Sequence, residues 1–140
     1  MLRGLTTITY TADDVAAARD WYAALLGQQA YFARPAEGTP AYVEFRVGAD
    51  EDELGIMDRR FAAPAVRDAA AGAGVTVYWA VDDVEATLTR LVELGAVPHE
   101  PCTERGPGFV TASVVDPFGN VLGVMENRHF DGLTAARATD

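Results

Sequence analysis

Glu44 and Arg46 stand two residues apart in the run Tyr42-Val43-Glu44-Phe45-Arg46-Val47, so on an extended strand their side chains leave the same face as Tyr42. A carboxylate beside a guanidinium and a phenol can act as a general base or can orient a polar ligand, although the guanidinium lowers the carboxylate's basicity. His99 and Cys102 form the other reactive grouping. A thiol nucleophile needs a base within reach, and a spacing of three along a strand sends these two side chains to opposite faces. The second histidine, His129, lies near the end of the chain, and neither histidine sits in a metal-binding spacing or beside a Cys-x-x-Cys pair. These residues single out no catalytic group.

The elements that carry them are written twice. Leu54-Gly55-Ile56-Met57-Asp58 recurs as Leu122-Gly123-Val124-Met125-Glu126, Asp13-Asp14-Val15 recurs as Asp82-Asp83-Val84, and Leu26-Gly27 recurs as Leu94-Gly95, all at separations that agree to within one residue. A module present in two copies implies that each site position can be read once in each half. In the first half, β-forming residues predict a strand over 5–11, and Asp13 or Asp14 is placed to cap a helix over 15–26 that closes at Gly27. Strands follow over 28–33, 41–47 and 53–58, divided by the turn-formers of 35–40 and 48–52. The second half repeats the order with a strand over 75–81, a helix over 83–94, and strands over 97–103, 109–115 and 121–126. Between the halves, 59–74 reads as a linker with room for one short helix, and 127–140 reads as a tail, either helical or frayed.

A chain of 140 residues, 49% hydrophobic and 23% charged, fits one domain with its own core. Its formal charge of −10 excludes nucleic acid as a natural partner, because phosphate contacts need clustered basic residues. The same charge favours cations. A single cysteine, Cys102, cannot close an internal disulfide, and no run of about 18 apolar residues is present to span a bilayer. The reading is a cytoplasmic protein that does not engage membranes. All basic residues are arginine, which with the many Ala, Val and Asp points to a GC-rich genome.

The βαβββ-βαβββ order, the junction Thr11-Ala12-Asp13-Asp14-Val15 with Asp20-Trp21-Tyr22 and Leu26-Gly27 after it, the second Val81-Asp82-Asp83-Val84 and the loop Asp116-Pro117-Phe118-Gly119-Asn120 resemble the vicinal oxygen chelate superfamily. That family includes glyoxalase I, extradiol dioxygenases, fosfomycin-modifying enzymes and bleomycin-resistance binding proteins. The resemblance implies an α+β fold in which two tandem βαβββ modules, 4–58 and 75–126, form a cup-shaped, partly closed sheet within one glyoxalase-like domain. Metal-dependent members hold an ion with a His, Glu or Gln from the first and last strand of each module. Carried onto this chain, those positions are Thr7, Gly55, Thr76 and Gly123, none of which is a usual ligand. Glu53 shares the face of Gly55, leaving a carboxylate-only site with Glu44 as the alternative, whereas Glu126 faces away. The loop at Asp116 supplies turn geometry.

Strand alternation then gives a lining for the cup: Thr7, Thr9, Tyr42, Glu44, Arg46, Gly55 and Met57 from the first module, and Thr76, Tyr78, Phe109, Thr111, Gly123 and Met125 from the second, with Ser113 beside them. Ile8, Val43, Phe45, Val47, Val77, Trp79, Val110, Ala112 and Val114 turn to the helices. Two glycines that make room, two thioethers and aromatic walls suit a planar or amphipathic small molecule. The resemblance and the missing ligands together imply a metal-independent binder of a small organic ligand, cationic or aromatic, with no metal and no cofactor, serving in antibiotic sequestration or natural-product metabolism. The alternatives are a lyase, isomerase or dioxygenase-like enzyme using the same cup, and a partner-binding module. The resemblance also implies a homodimer.

Overall fold

The computed structural model describes residues 5–70 and 75–137. It divides into two compact units, Met1–Ala70 and Ala71–Asp140. The first contains β1 (Thr7–Ala12), α1 (Val15–Leu26), β2 (Phe32–Arg34), β3 (Tyr42–Val47), β4 (Asp52–Asp58), a single 3-10 turn (Arg59–Phe61) and α2 (Pro64–Arg67). The second contains β5 (Val77–Ala80), α3 (Val84–Glu93), β6 (Val97–Gly106), β7 (Phe109–Val115), β8 (Val121–Asn127) and α4 (Arg128–Arg137). Each unit folds into a four-stranded mixed sheet, ordered β1-β4-β3-β2 in one and β5-β8-β7-β6 in the other. In both, the first strand runs parallel to the last and the remaining pairs are antiparallel. The fold is α+β, built as two βαβββ modules with sheets that do not close into barrels.

Each sheet covers one face with its helix. In the first unit, alternation puts Val43, Phe45, Leu54 and Ile56 against α1, where Val15, Ala18 and Tyr22 meet them, and all are buried. In the second unit, Ala112, Val114, Leu122 and Val124 lie on the α3 side with Val84 and Leu91. Burying such a side chain is worth about 1.5–3 kcal/mol, so the pattern fixes which face of each strand stays open.

Both helices start the same way. The side chain of Asp14 accepts from Ala17 N at 2.9 Å, and that of Asp83 accepts from Ala86 N at 2.8 Å, each satisfying an amide that the helix itself leaves unpaired. At the far end of α1, Gly27 adopts φ 68°, the left-handed cap for which glycine carries no steric cost. The loop at 116–120 is a side-chain-tied turn in which Asp116 Oδ1 accepts from the amides of Phe118 and Asn120 at 2.9 and 2.8 Å.

Several boundaries differ from the sequence reading. The strand expected over 28–33 shrinks to the three residues of β2, because 28–31 make one ladder-like bond, Tyr31 N to Glu44 O, and otherwise run irregularly. Strand β5 begins at Val77, so Thr76 precedes the ladder instead of joining it. Strand β6 extends past Thr103 to Gly106 through three breaks in register. The stretch from 59 carries the 3-10 turn and α2, and the tail forms α4 through Arg137; residues 71–74 of the linker and 138–140 of the tail lie outside the described residues. No helix among the described residues is long and apolar enough to cross a membrane.

Replacing Asp83 with Ala removes the α3 cap and is expected to cost about 1 kcal/mol. The adjacent Asp82→Ala, whose side chain makes no such bond in the helix start, should stay within about 0.5 kcal/mol of the parent. Urea denaturation of the two variants side by side checks this.

Candidate functional site

On the open face of the first unit, the register lines up Thr7, Glu53 and Arg46 in one row, Thr9, Gly55, Glu44 and Phe32 in the next, and Thr11, Met57, Tyr42 and Arg34 in a third. The side chains of these rows meet. Tyr42 Oη donates to Glu44 Oε2 at 2.9 Å, Glu44 Oε1 lies 3.5 Å from Arg46 Nε, and Arg46 Nη2 lies 3.1 Å from Glu53 Oε1. Glu53 also accepts from the hydroxyl of Thr7. Arg46 further stacks on the Tyr31 ring at 4.7 Å. The result is one polar chain that crosses β3, β4 and β1.

That chain spends its own charges. Glu44 shares its carboxylate between a phenol and a guanidinium, so it is placed to hold the Tyr42 proton and not to take one from a ligand. Burial, helped by the hydrogen bond to Glu44 and by the negative charges of Glu44 and Glu53, pushes the Tyr42 phenol up to about 12. Tyr42 is therefore a hydrogen-bond donor throughout the neutral range.

The glycines do not leave space, as their size alone implied. A Cβ on Gly55 would lie 2.5 Å from Tyr42 Oη and 2.8 Å from its Cε2, so the ring fills the place where a side chain would stand. The second unit does the same with a different strand. A Cβ on Gly123 would lie 2.6 Å from Tyr78 Cδ1 and 2.8 Å from the carbonyl oxygen of Val77. Tyr78 pairs with Gly123 across the β5–β8 ladder, and its hydroxyl reaches Glu100 Oε2 at 3.4 Å. Each unit thus sets a tyrosine over a glycine and directs the phenol toward a glutamate.

Around Tyr78 the open face holds Met125, Thr111, Ser113 and Phe109 in adjacent rows. Thr111 and Ser113 are buried, because two residues of β6 close over them: Arg105 Nε donates to Thr111 Oγ1 at 3.0 Å, and His99 Nδ1 lies 3.1 Å from Ser113 Oγ. His99 lies two residues from Val97, the partner of Val115, and Arg105 two from Thr103, the partner of Thr111, so alternation places both on this face. The break between Pro98 and Glu100 brings Glu100 opposite Ser113 as well. His99, Glu100 and Arg105 were not in the sequence-derived lining. Alternation along β6 marks His99 and Arg105 once its register against β7 is known, and an irregularity hinted at by Pro98 and Pro101 is the signal for Glu100. Thr76, expected in the lining, is exposed ahead of β5. Cys102 faces elsewhere: burial and the carboxylates of Glu85, Glu126 and Asp83 push its thiol up, against nucleophilic use.

The donor set does not fit a resident metal ion. Thr7 is bonded to Glu53, the places at Gly55 and Gly123 are filled by aromatic rings, and Glu126 turns to the helix side, where it accepts from Val84 N at 2.9 Å. The carboxylates of Glu53 and Glu44, the alternative donors, are bridged by Arg46. Among the described residues, no three His, Cys, Asp or Glu side chains are grouped so as to hold a metal.

The family model described as Glyoxalase/Bleomycin resistance protein/Dioxygenase superfamily matches residues 4–124. The chain belongs to that superfamily. Solved structures share the superfamily's fold at low identity. One, a member of the glyoxalase/bleomycin resistance protein/dioxygenase superfamily from Sphaerobacter thermophilus DSM 20745, is 17% identical with a TM-score of 0.68, over 90% of this chain and 98% of that one. TioX from Micromonospora sp. ML1 is 18% identical with a TM-score of 0.66, over 89% and 99%. UcmS2 is 20% identical with a TM-score of 0.69, over 91% and 100%. No curated protein matches the sequence. Within a superfamily that hosts many chemistries, the residues of the open faces carry whatever distinguishes this member.

Gly55→Ala drives a methyl group into the Tyr42 ring and is expected to destabilise the protein by about 1–3 kcal/mol. In a Tyr42→Ala background most of that cost should vanish, and a double-mutant cycle by chemical denaturation measures it. The raised Tyr42 value also has a pH signature. The folded state keeps a proton that the unfolded state releases near 10, so the stabilisation is complete below pH 10 and is lost as pH rises toward about 12. Unfolding curves across that window should fall more steeply for the parent than for Tyr42→Phe.

Proposed function

We propose that this member of the superfamily binds a small planar or aromatic organic molecule without a resident metal ion. The observation that carries the reading is the tyrosine seated over the glycine in each unit, at the positions where metal-dependent members offer a ligand. Such a ring cannot donate to a divalent ion as a His or Glu does in these places, but it supplies a flat apolar wall with a hydroxyl at its tip. Met57 and Met125 sit one row along from the two glycines and offer polarizable, adaptable contacts to a ring. Phe109 extends that wall in the second unit, and Thr9, opposite Gly55, extends the open face of the first. The polar chain from Tyr42 to Thr7 holds its side chains in fixed places, which limits the entropy lost when a ligand docks.

The role that follows is capture of a small molecule, as in sequestering an antibiotic or accompanying a natural-product pathway, by a cytoplasmic homodimer of the kind common in this superfamily. Calorimetric titration with a panel of aromatic and glycopeptide antibiotics tests the binding, with saturable uptake of at least one aromatic member expected. Elemental analysis of protein purified without chelators tests the metal side, and metal well below one ion per chain is expected. Stoichiometric zinc, nickel, iron or manganese would overturn the reading, as would silence across the whole panel.

A further inference from the structure

We propose that the Phe109 end of the second unit's open face is a seat for the carboxylate of a planar aromatic anion, an assignment that rests on the small-molecule reading above. Two guanidinium groups border this end, one held to Thr111 and the other over Phe109 in the adjacent row of the face. Arg105, which shares a face with Thr103, the partner of Thr111, is fixed through Nε to the buried Thr111 hydroxyl at 3.0 Å. Its nearest carboxylate, Glu100, lies 3.9 Å away, and the Arg105 side chain remains 49% exposed. Arg128 lies over the Phe109 ring at 5.8 Å, and among the described residues it has no carboxylate within ion-pair distance.

In a chain with 21 acidic and 11 basic residues, an arginine without an acid is the exception. Among the described arginine side chains, Arg19, Arg46, Arg59, Arg60, Arg67, Arg90 and Arg105 have one within ion-pair distance, and Arg34 and Arg128 do not. The backbone also makes way for Arg128. Gly108 adopts φ 78°, and a Cβ there would lie 2.8 Å from Arg128 Cδ, so the β6–β7 turn is cleared for the arginine's stem. Arg128 N donates to Gly108 O at 3.2 Å, which anchors the same residue from the other side.

Guanidinium groups are planar forks that match a carboxylate with paired hydrogen bonds and stack on aromatic faces. A carboxylate held between Arg105 and Arg128 would leave its ring to rest against Phe109 and Met125, which occupy adjacent rows of the face. The overall charge of −10 favours cations at long range, but beyond about 8 Å that field is screened at physiological salt, and the local pair decides at contact.

Calorimetry with naphthoate, naphthalenemethanol and naphthylmethylamine tests the seat, because the three share a ring and differ in charge. Naphthoate is expected to bind about tenfold or more tightly than the alcohol, with the amine weakest. Arg105→Gln and Arg128→Gln should each remove most of that preference and leave the alcohol's affinity unchanged. Gly108→Ala, which keeps both arginines but displaces one, should reduce it too. Thermal melts confirm that the variants are folded. The seat is refuted if naphthoate binds no better than the alcohol, or if its advantage survives both arginine substitutions. It is equally refuted if all three probes are silent while an antibiotic of the earlier panel binds, an outcome that leaves the small-molecule reading standing. Silence of the probes and the panel alike removes both.

Discussion

A slip of one residue between β3 and β4 would carry Val43 and Phe45 out from under α1 and drive Glu44 and Arg46 beneath it. Each buried apolar side chain contributes about 1.5–3 kcal/mol, and an unpaired charge under a helix costs more than that, so the register is strongly specified. The open face inherits its arrangement from this constraint. Tyr42, Glu44 and Arg46 share a face because Val43 and Phe45 must share the other. The same holds in the second unit, where Ala112 and Val114 lie against α3 and leave Thr111 and Ser113 on the open side. Function in this fold is therefore written on the residues that packing does not need.

Once register is fixed, the two glycines take on a specific meaning. In each unit the last strand presents a bare backbone at the centre of the open face, and a neighbouring strand folds a tyrosine onto it. The tyrosine comes from β3 in one unit and β5 in the other, so the likeness does not follow from copying one sequence position. It follows from the space: a strand residue without a side chain leaves an apolar gap beside long neighbours, and a ring that can also reach a carboxylate fills it at little cost. Glu44 and Glu100 supply that carboxylate.

The duplicated phrases, the two aspartate caps and the order of elements were legible because each depends on local chemistry. Asp14 and Asp83 bond to amides three residues on, and the apolar residues of β3 and β7 recur at a period of two. Thus the fold and the alternation that buries Val43, Phe45, Ala112 and Val114 could be read before the structure was known. What could not be read depends on contacts between strands. The filling of Gly55 by Tyr42 is diagonal across a ladder whose register the sequence does not state. The roles of His99 and Arg105 depend on the register of β6 against β7, and that of Glu100 on the break that sets it opposite Ser113. Thr76 falls outside the ladder for a simpler reason, since β5 starts at Val77, two residues later than the strand over 75–81 that its β-forming residues implied.

Charge shows the same division between global and local readings. Summed over the chain, acidic residues outnumber basic ones by nearly two to one, which speaks for cationic partners. On the open face of the first unit, however, Arg46 already bridges Glu44 and Glu53, so a cation arriving there must displace a guanidinium that is bonded and stacked. On the second unit's face the imbalance runs the other way, with Arg105 fixed to a hydroxyl but only distantly paired with Glu100, and Arg128 resting on a ring. A ligand responds to the groups within a few ångströms of it, because those interactions are least screened and are the ones that desolvation strengthens. The net charge of the protein describes its solubility and its long-range field, whereas the selectivity of its faces is set by which arginines the surrounding carboxylates have already claimed.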